Sequence, residues 1–146
     1  MLYALFRLLH FAFLLVYAGC VVIKNMALAR KISREDAHNL TRINKVLALS
    51  SGLAVLVGLL LWLGVGRPAG FYSSNPIFLA KLALVFILIA LSVAPARFLR
   101  SRPSSEADAT INVPAWIRIS VRMELMVLIL VALLAGLMAR GIGLTP

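Results

Sequence analysis

Charge is what this sequence has least of. Only 14% of its 146 residues are Asp, Glu, Lys or Arg, where a soluble domain usually carries about 25%. Cysteine is rarer still: Cys20 stands alone, which excludes an intramolecular disulfide and a cysteine-built zinc cluster. No nucleophile triad, phosphate-binding loop or clustered set of metal ligands can be assembled from the motifs present. Only one stretch, Ser101 to Asn112 (SRPSSEADATIN), has the polar, proline-bearing composition of a loop or disordered segment.

What fills the chain is apolar. Hydrophobic residues make up 62% of it, gathered into long runs separated by short basic segments, which places it in the membrane class. Four runs approach the roughly 20 residues that cross a hydrocarbon core about 30 Å thick. They cover residues 2–23, 46–65, 77–95 and 117–139. Lipid offers no partner for backbone N–H and C=O groups, so all four are expected to be helices. The expected fold is all-α: one integral membrane four-helix domain over residues 1–146, with the lipid bilayer as its first partner.

Local signals mark the helix ends. Asn75-Pro76 reads as a cap followed by proline at the first helical position, and Pro114 opens the fourth helix in the same way. Ser33 with Asp36 three residues on resembles a capping box. The second helix is thus expected to begin near Arg34, well outside the bilayer. Pro95 is a candidate kink. A lipoprotein-type signal ending at Ala18-Gly19-Cys20 is the rival reading of the N-terminus. Tyr17, where such sites carry an aliphatic residue, and the apolar continuation past Cys20 favour a membrane span.

The net charge of +10 reads as membrane topology rather than nucleic-acid binding. The first loop holds Lys24, Arg30, Lys31, Arg34, Arg42 and Lys45; the third loop and its flanks hold Arg97, Arg100, Arg102, Arg118 and Arg122. The second loop has only Arg67. Eleven of the fifteen cations therefore fall on one side, and the positive-inside rule makes that side cytoplasmic, with both termini out. The expected location is a bacterial inner membrane. Trp62, Trp116, Phe71 and Tyr72 lie near span ends, as an interfacial aromatic belt would. His38, in the first loop, reads as solvated.

Ionisable groups at bilayer depth need a reason, because each costs a few kcal/mol to insert. His10 lies roughly 12 Å along the first helix and Lys81 roughly 7 Å along the third, at 1.5 Å per residue. Both helices run inward, so the two residues share a depth. A neutral imidazole can ligate haem iron. A nearby lysine can supply a second ligand, pair with a propionate or hold a quinone oxygen. The alternative is structural: Lys81 snorkelling outward and His10 bonding a backbone carbonyl of a neighbouring helix. Arg7, His10, Tyr17 and Lys24 recur at spacings of three and seven, with Tyr3 four before Arg7. They form a polar stripe expected to face the interior. Glu124, at the opposite end, is expected to pair with Arg118, Arg122, Arg42 or Lys45, with Asn44 close by. It serves either as a structural ion pair or as a proton-uptake carboxylate. On the second helix Ala48, Ser51 or Gly52, Val55, Gly58 and Trp62 offer a small-residue side for close packing.

The chain resembles an uncharacterised family of small bacterial four-helix membrane proteins, known only as a domain of unknown function. The residues carrying the resemblance are LLHFAFLLVYAG, GLLLWLGVG, FYSSNPIFLAKLAL and RMELMVLILVALLAGLMARG. More remotely it is similar to HemJ-type protoporphyrinogen oxidases and CopD-type membrane proteins. HemJ-type proteins have a leucine-histidine pair early in helix one, a lysine before an apolar run in helix three and a glutamate early in helix four. Leu9-His10, Lys81-Leu82 and Glu124 match these. The resemblance implies haem b, with His10 as metal ligand and Lys81 as its functional partner. HemJ-type proteins carry further histidines that Val22–Met26 and Ser92–Arg97 lack here, which points to a single-haem or haem-free relative.

Together these readings make the chain a haem b-binding or quinone-linked membrane redox protein. Lys81 and Glu124 are its catalytic candidates, and His10, Lys81, Tyr17 and Arg7 its cofactor-binding candidates. The alternative is a non-catalytic structural or assembly subunit of a larger membrane complex or homo-oligomer. A transporter is the weakest reading, since one lysine and one glutamate at opposite depths make a poor continuous pathway.

Overall fold

The computed structural model describes residues 1–65, 69–101 and 110–142. Four long helices account for most of them: α1 (Leu2–Ala27), α2 (Arg34–Leu60), α4 (Pro76–Arg100) and α5 (Ala115–Ala139), with a short α3 (Ala69–Ser73) leading into α4. A π-helical turn, Leu61–Val65, ends α2. Each long helix has the length and apolarity to cross a bilayer. The expected all-α four-helix architecture is the one observed. Around the bundle the order is α1, α2, α4, α5, with α1–α2 and α4–α5 the most extensive pairs.

The helices run beyond the apolar stretches read from sequence. At 1.5 Å per residue the 27 residues of α2 reach about 40 Å. That exceeds the hydrocarbon thickness, so its polar first turns stand outside. Its start is fixed by Ser33. The Ser33 hydroxyl accepts from the Asp36 N–H at 3.0 Å, and the Asp36 carboxylate accepts from the Ser33 N–H at 3.3 Å. Two donors that the helix cannot satisfy internally are thereby paired. Ser33→Ala is expected to cost about 1 kcal/mol, seen as a lower thermal midpoint in detergent, whereas Ser33→Asp should keep most of it.

Asn75 caps α4, its side-chain oxygen accepting from the Ile77 N–H at 2.9 Å, with Pro76 next. Pro114 differs: it occupies the cap position itself and α5 begins at Ala115. The helix α4 continues through Pro95 to Arg100.

A short ladder that no sequence pattern announces joins two of the loops. Two-residue strands β1 (Lys31–Ile32) and β2 (Ile111–Asn112) pair antiparallel, Lys31 opposite Asn112 and Ile32 opposite Ile111. The Val113 N–H extends the lacing to the Arg30 carbonyl at 2.9 Å. Strands this short have no period-two pattern to announce them. The ladder ties the first and third loops together at one end of the bundle. Against it packs an apolar cluster that includes Leu28, Ile32, Leu40, Leu99, Val113, Ile117 and Val121. A second cluster, Tyr17, Cys20, Val21, Leu47 and Leu88, lies further along the bundle. The rest of the expected loop, 102–109, with Arg67 and the Phe71 side chain, lies outside the described residues.

Away from these clusters large apolar side chains point outward, Leu15 being 75% and Phe86 65% exposed. In a bilayer that surface meets lipid, and helix association rests on close packing and polar contacts.

Candidate functional site

Polar residues gather at two levels. Nearer the ladder end, Lys24 of α1 and Glu124 of α5 are both fully buried, with ammonium and carboxylate 2.5 Å apart. The Tyr17 hydroxyl donates to the other carboxylate oxygen at 3.1 Å. One turn away the Asn25 amide donates to the Val121 carbonyl of α5 at 2.9 Å. These contacts join α1 to α5. The cations expected beside Glu124 are not its partners. Arg42 and Arg122 are exposed and Arg118 half-buried, and Lys24 takes the place assigned to them. Long arginines near a helix end keep their heads in water, whereas Lys24 sits on the α1 face turned to α5.

Lys24 stands both among the first-loop cations and in the stripe expected to face the interior, and the structure places it with the stripe. The signal was present: it lies seven residues after Tyr17, two helical turns along the same face.

Toward the end carrying the termini, His10 of α1 faces α2. Its Nδ1 lies 2.9 Å from the Ala54 carbonyl. A carbonyl only accepts, so Nδ1 carries the proton and the neutral ring keeps its lone pair on Nε2. Gly58 makes room for the ring: a Cβ there would stand 3.1 Å from Cε1. Lys81 of α4 lies near enough to interact electrostatically with His10, and its ammonium sits 5.5 Å from the centre of the Phe78 ring. Trp62, in the π-helical turn, meets Phe78 edge-on at 5.0 Å, and its buried indole N–H has no partner among the described residues. Tyr72 packs on Phe78 from another side at 5.6 Å. π-Turns are frequent at functional positions because they re-aim a side chain, and here the turn carries Trp62.

The expected polar stripe is therefore divided. His10 faces α2, and Tyr17 and Lys24 face α5. Arg7 is exposed on the outside of α1, stacked on Phe11 at 5.7 Å, in an open groove shared with Tyr3, Ala4 and Leu8. Arg7 is not brought together with His10. A spacing of three turns about 60° off line around the helix and one of seven only about 20°, so Arg7 leaves the face that Tyr17 and Lys24 hold, while His10, nearer the other end of α1, meets α2. On α2 the buried face is Leu47, Ser50, Ala54 and Val57, while Ala48 and Gly52 are exposed. Of the two glycines anticipated there, Gly58 meets the His10 ring of α1, whereas a Cβ at Gly52 would meet nothing within 4 Å. Trp116 and His38 are exposed, as an interfacial and a solvated residue would be.

Chemically, the group at the end carrying the termini offers one lone-pair nitrogen (His10), one ammonium (Lys81) and one N–H without a partner among the described residues (Trp62), with aromatic rings beside them. A haem iron on His10 would need a clear porphyrin disc around Nε2. The ring edge bearing Nδ1, Cε1 and Nε2 lies against Gly58, so α1 would have to part from α2. Among the described residues no group of three or more His, Cys, Asp or Glu side chains could hold a metal by itself.

The sequence profile of a family described as "Predicted membrane protein (DUF2214)" matches residues 2–143. No curated protein and no solved structure matches the chain.

Proposed function

Because the chain belongs to the DUF2214 family of predicted membrane proteins, a membrane fold is given and an activity is not, and we propose one from the site: a small quinone-linked redox protein. The ligand meets His10, Lys81 and Trp62 at the end carrying the termini. The observation that carries this reading is the orientation of His10. Its Nδ1 bond to Ala54 fixes a tautomer whose Nε2 accepts a proton or a hydrogen bond, as second-shell contacts do for functional histidines. A quinol hydroxyl donates to Nε2; a quinone carbonyl accepts from the Lys81 ammonium or the Trp62 indole. Haem b, with His10 as axial ligand, is the alternative cofactor.

The proposal places the ladder end in the cytoplasm of a bacterial inner membrane. Exposed Lys31, Arg42, Arg97 and Arg122 keep that end basic even with Lys24 buried.

Two measurements on the detergent-purified protein test the reading. The expected results are extractable quinone, or saturable binding of added quinone, at least tenfold weaker in His10→Ala and Lys81→Met, and no Soret band. A Soret band that shifts on dithionite reduction and vanishes in His10→Ala would replace quinone by haem b. Neither chromophore nor quinone binding would leave a structural or assembly subunit. The contacts that favour that second reading are the Tyr17–Glu124, Lys24–Glu124 and Asn25–Val121 bonds between helices.

A further inference from the structure

Three helices carry a stripe of buried or partly buried residues, and each stripe is interrupted by one polar residue at the same register. On α1 the stripe is Tyr17, Val21, Lys24, Leu28; on α2 it is Leu47, Asn44, Leu40; on α5 it is Leu128, Glu124, Val121, Ile117. Leu28, Leu40, Val121 and Ile117 belong to the ladder-end cluster. Tyr17, Val21 and Leu47, with Leu128 packed against them, belong to the second. Lys24, Asn44 and Glu124 therefore form one polar layer between two apolar ones.

The fourth helix contributes at this level too. Leu88 of α4 lies in the second cluster and Leu99 in the first, with Pro95 fully buried between them. Proline has no N–H, so the Leu91 carbonyl loses its helical donor.

The hydrogen-bonding capacity of this layer is not matched among the described residues. Asn44 is 7% exposed, and neither its amide oxygen nor its amide nitrogen has a partner among the described residues. Among the described residues the Lys24 ammonium meets the Glu124 carboxylate alone, leaving donors unused. Buried polar groups in folded proteins are almost always paired, with protein or with water.

We propose that this layer is a binding site for internal water, one or two molecules bridging Asn44, the Lys24–Glu124 pair and the Leu91 carbonyl. Water suits the set because it donates to a carbonyl and a carboxylate and accepts from an ammonium and an amide. A buried water commonly makes about three such bonds. A cation would face Lys24, and an anion would face Glu124. The inference is independent of the quinone reading, since it concerns a different level of the bundle.

The test is water-edited solid-state NMR of the full ¹⁵N-labelled chain in lipid bilayers. Water magnetisation is expected to reach the Asn44 side-chain amide about as fast as that of exposed Asn39, and that signal should be lost in Asn44→Leu. An assigned Asn44 amide polarised no faster than the backbone N–H of Leu47 would overturn the proposal. Thermal unfolding gives a second reading. Asn44→Leu should lower the midpoint if it removes a bridged group; a raised midpoint would mean a dry layer relieved of an unpaired amide. Should Asn44→Leu fail to fold, the wild-type NMR measurement decides alone.

Discussion

Lys24→Met is expected to destabilise the bundle by about 3–5 kcal/mol, the usual cost of removing one partner from a buried ion pair. It leaves the Glu124 carboxylate fully enclosed, with the Tyr17 hydroxyl as its remaining donor. Glu124→Leu should cost a similar amount by stranding the ammonium. The double variant, Lys24→Met with Glu124→Leu, should recover most of the loss, because apolar replacement of both partners removes the desolvation penalty along with the attraction. Reversible unfolding in mixed detergent, followed through Trp62 and Trp116 fluorescence, measures all three. A single-variant loss under about 1 kcal/mol, typical of an exposed pair, would mean that the pair is not shielded from bulk solvent as its burial requires.

The second large effect belongs to the ladder-end core. Leu40 is 1% exposed, within a cluster that also holds Ile117 at 0% and Val121 at 1%. Leu40→Ala should cost about 2–5 kcal/mol, the sum of lost transfer energy and the cavity left behind. Leu133, 61% exposed on α5, is the control. Its side chain meets lipid or detergent in the folded protein, so Leu133→Ala should change stability little. Equal losses at the two sites would mean that the outward face of α5 is packed against protein. That outcome would favour an oligomer or a larger complex over a lipid-surrounded bundle.

Much of the fold is legible in the sequence. The capping box at Ser33 and Asp36 and the Asn75-Pro76 cap were readable because each is a contact within a few residues. So were the four helices, since membrane thickness and backbone hydrogen bonding leave no other solution for such runs. The β1–β2 ladder was not readable. Its two strands have two residues each, and they meet only because α1, α2, α4 and α5 bring the first and third loops to one place.

The candidate site was readable in its parts and not in its pairings. That His10, Lys81 and Glu124 needed a reason for lying in apolar helices followed from the cost of burying charge. Which neighbours supplied that reason did not follow. Arg7, a stripe companion of His10 by spacing, lies outside, while Lys24, which spacing puts in the stripe and charge puts in the first loop, lies inside. Arg118, Arg122, Arg42 and Lys45 looked like partners of Glu124, and Lys24 holds that position. The azimuth of a side chain around a helix has meaning only once the neighbouring helix is placed.

The sequence by itself determined that this is a membrane bundle of four helices, where two of those helices are capped, and that polar groups are buried in it. The tertiary structure decided which polar groups meet. Hydrophobic runs and caps are properties of one segment, fixed by the bilayer and by local hydrogen bonding. An ion pair between Lys24 and Glu124, 100 residues apart, depends on the rotation and register of α1 against α5, which packing alone sets.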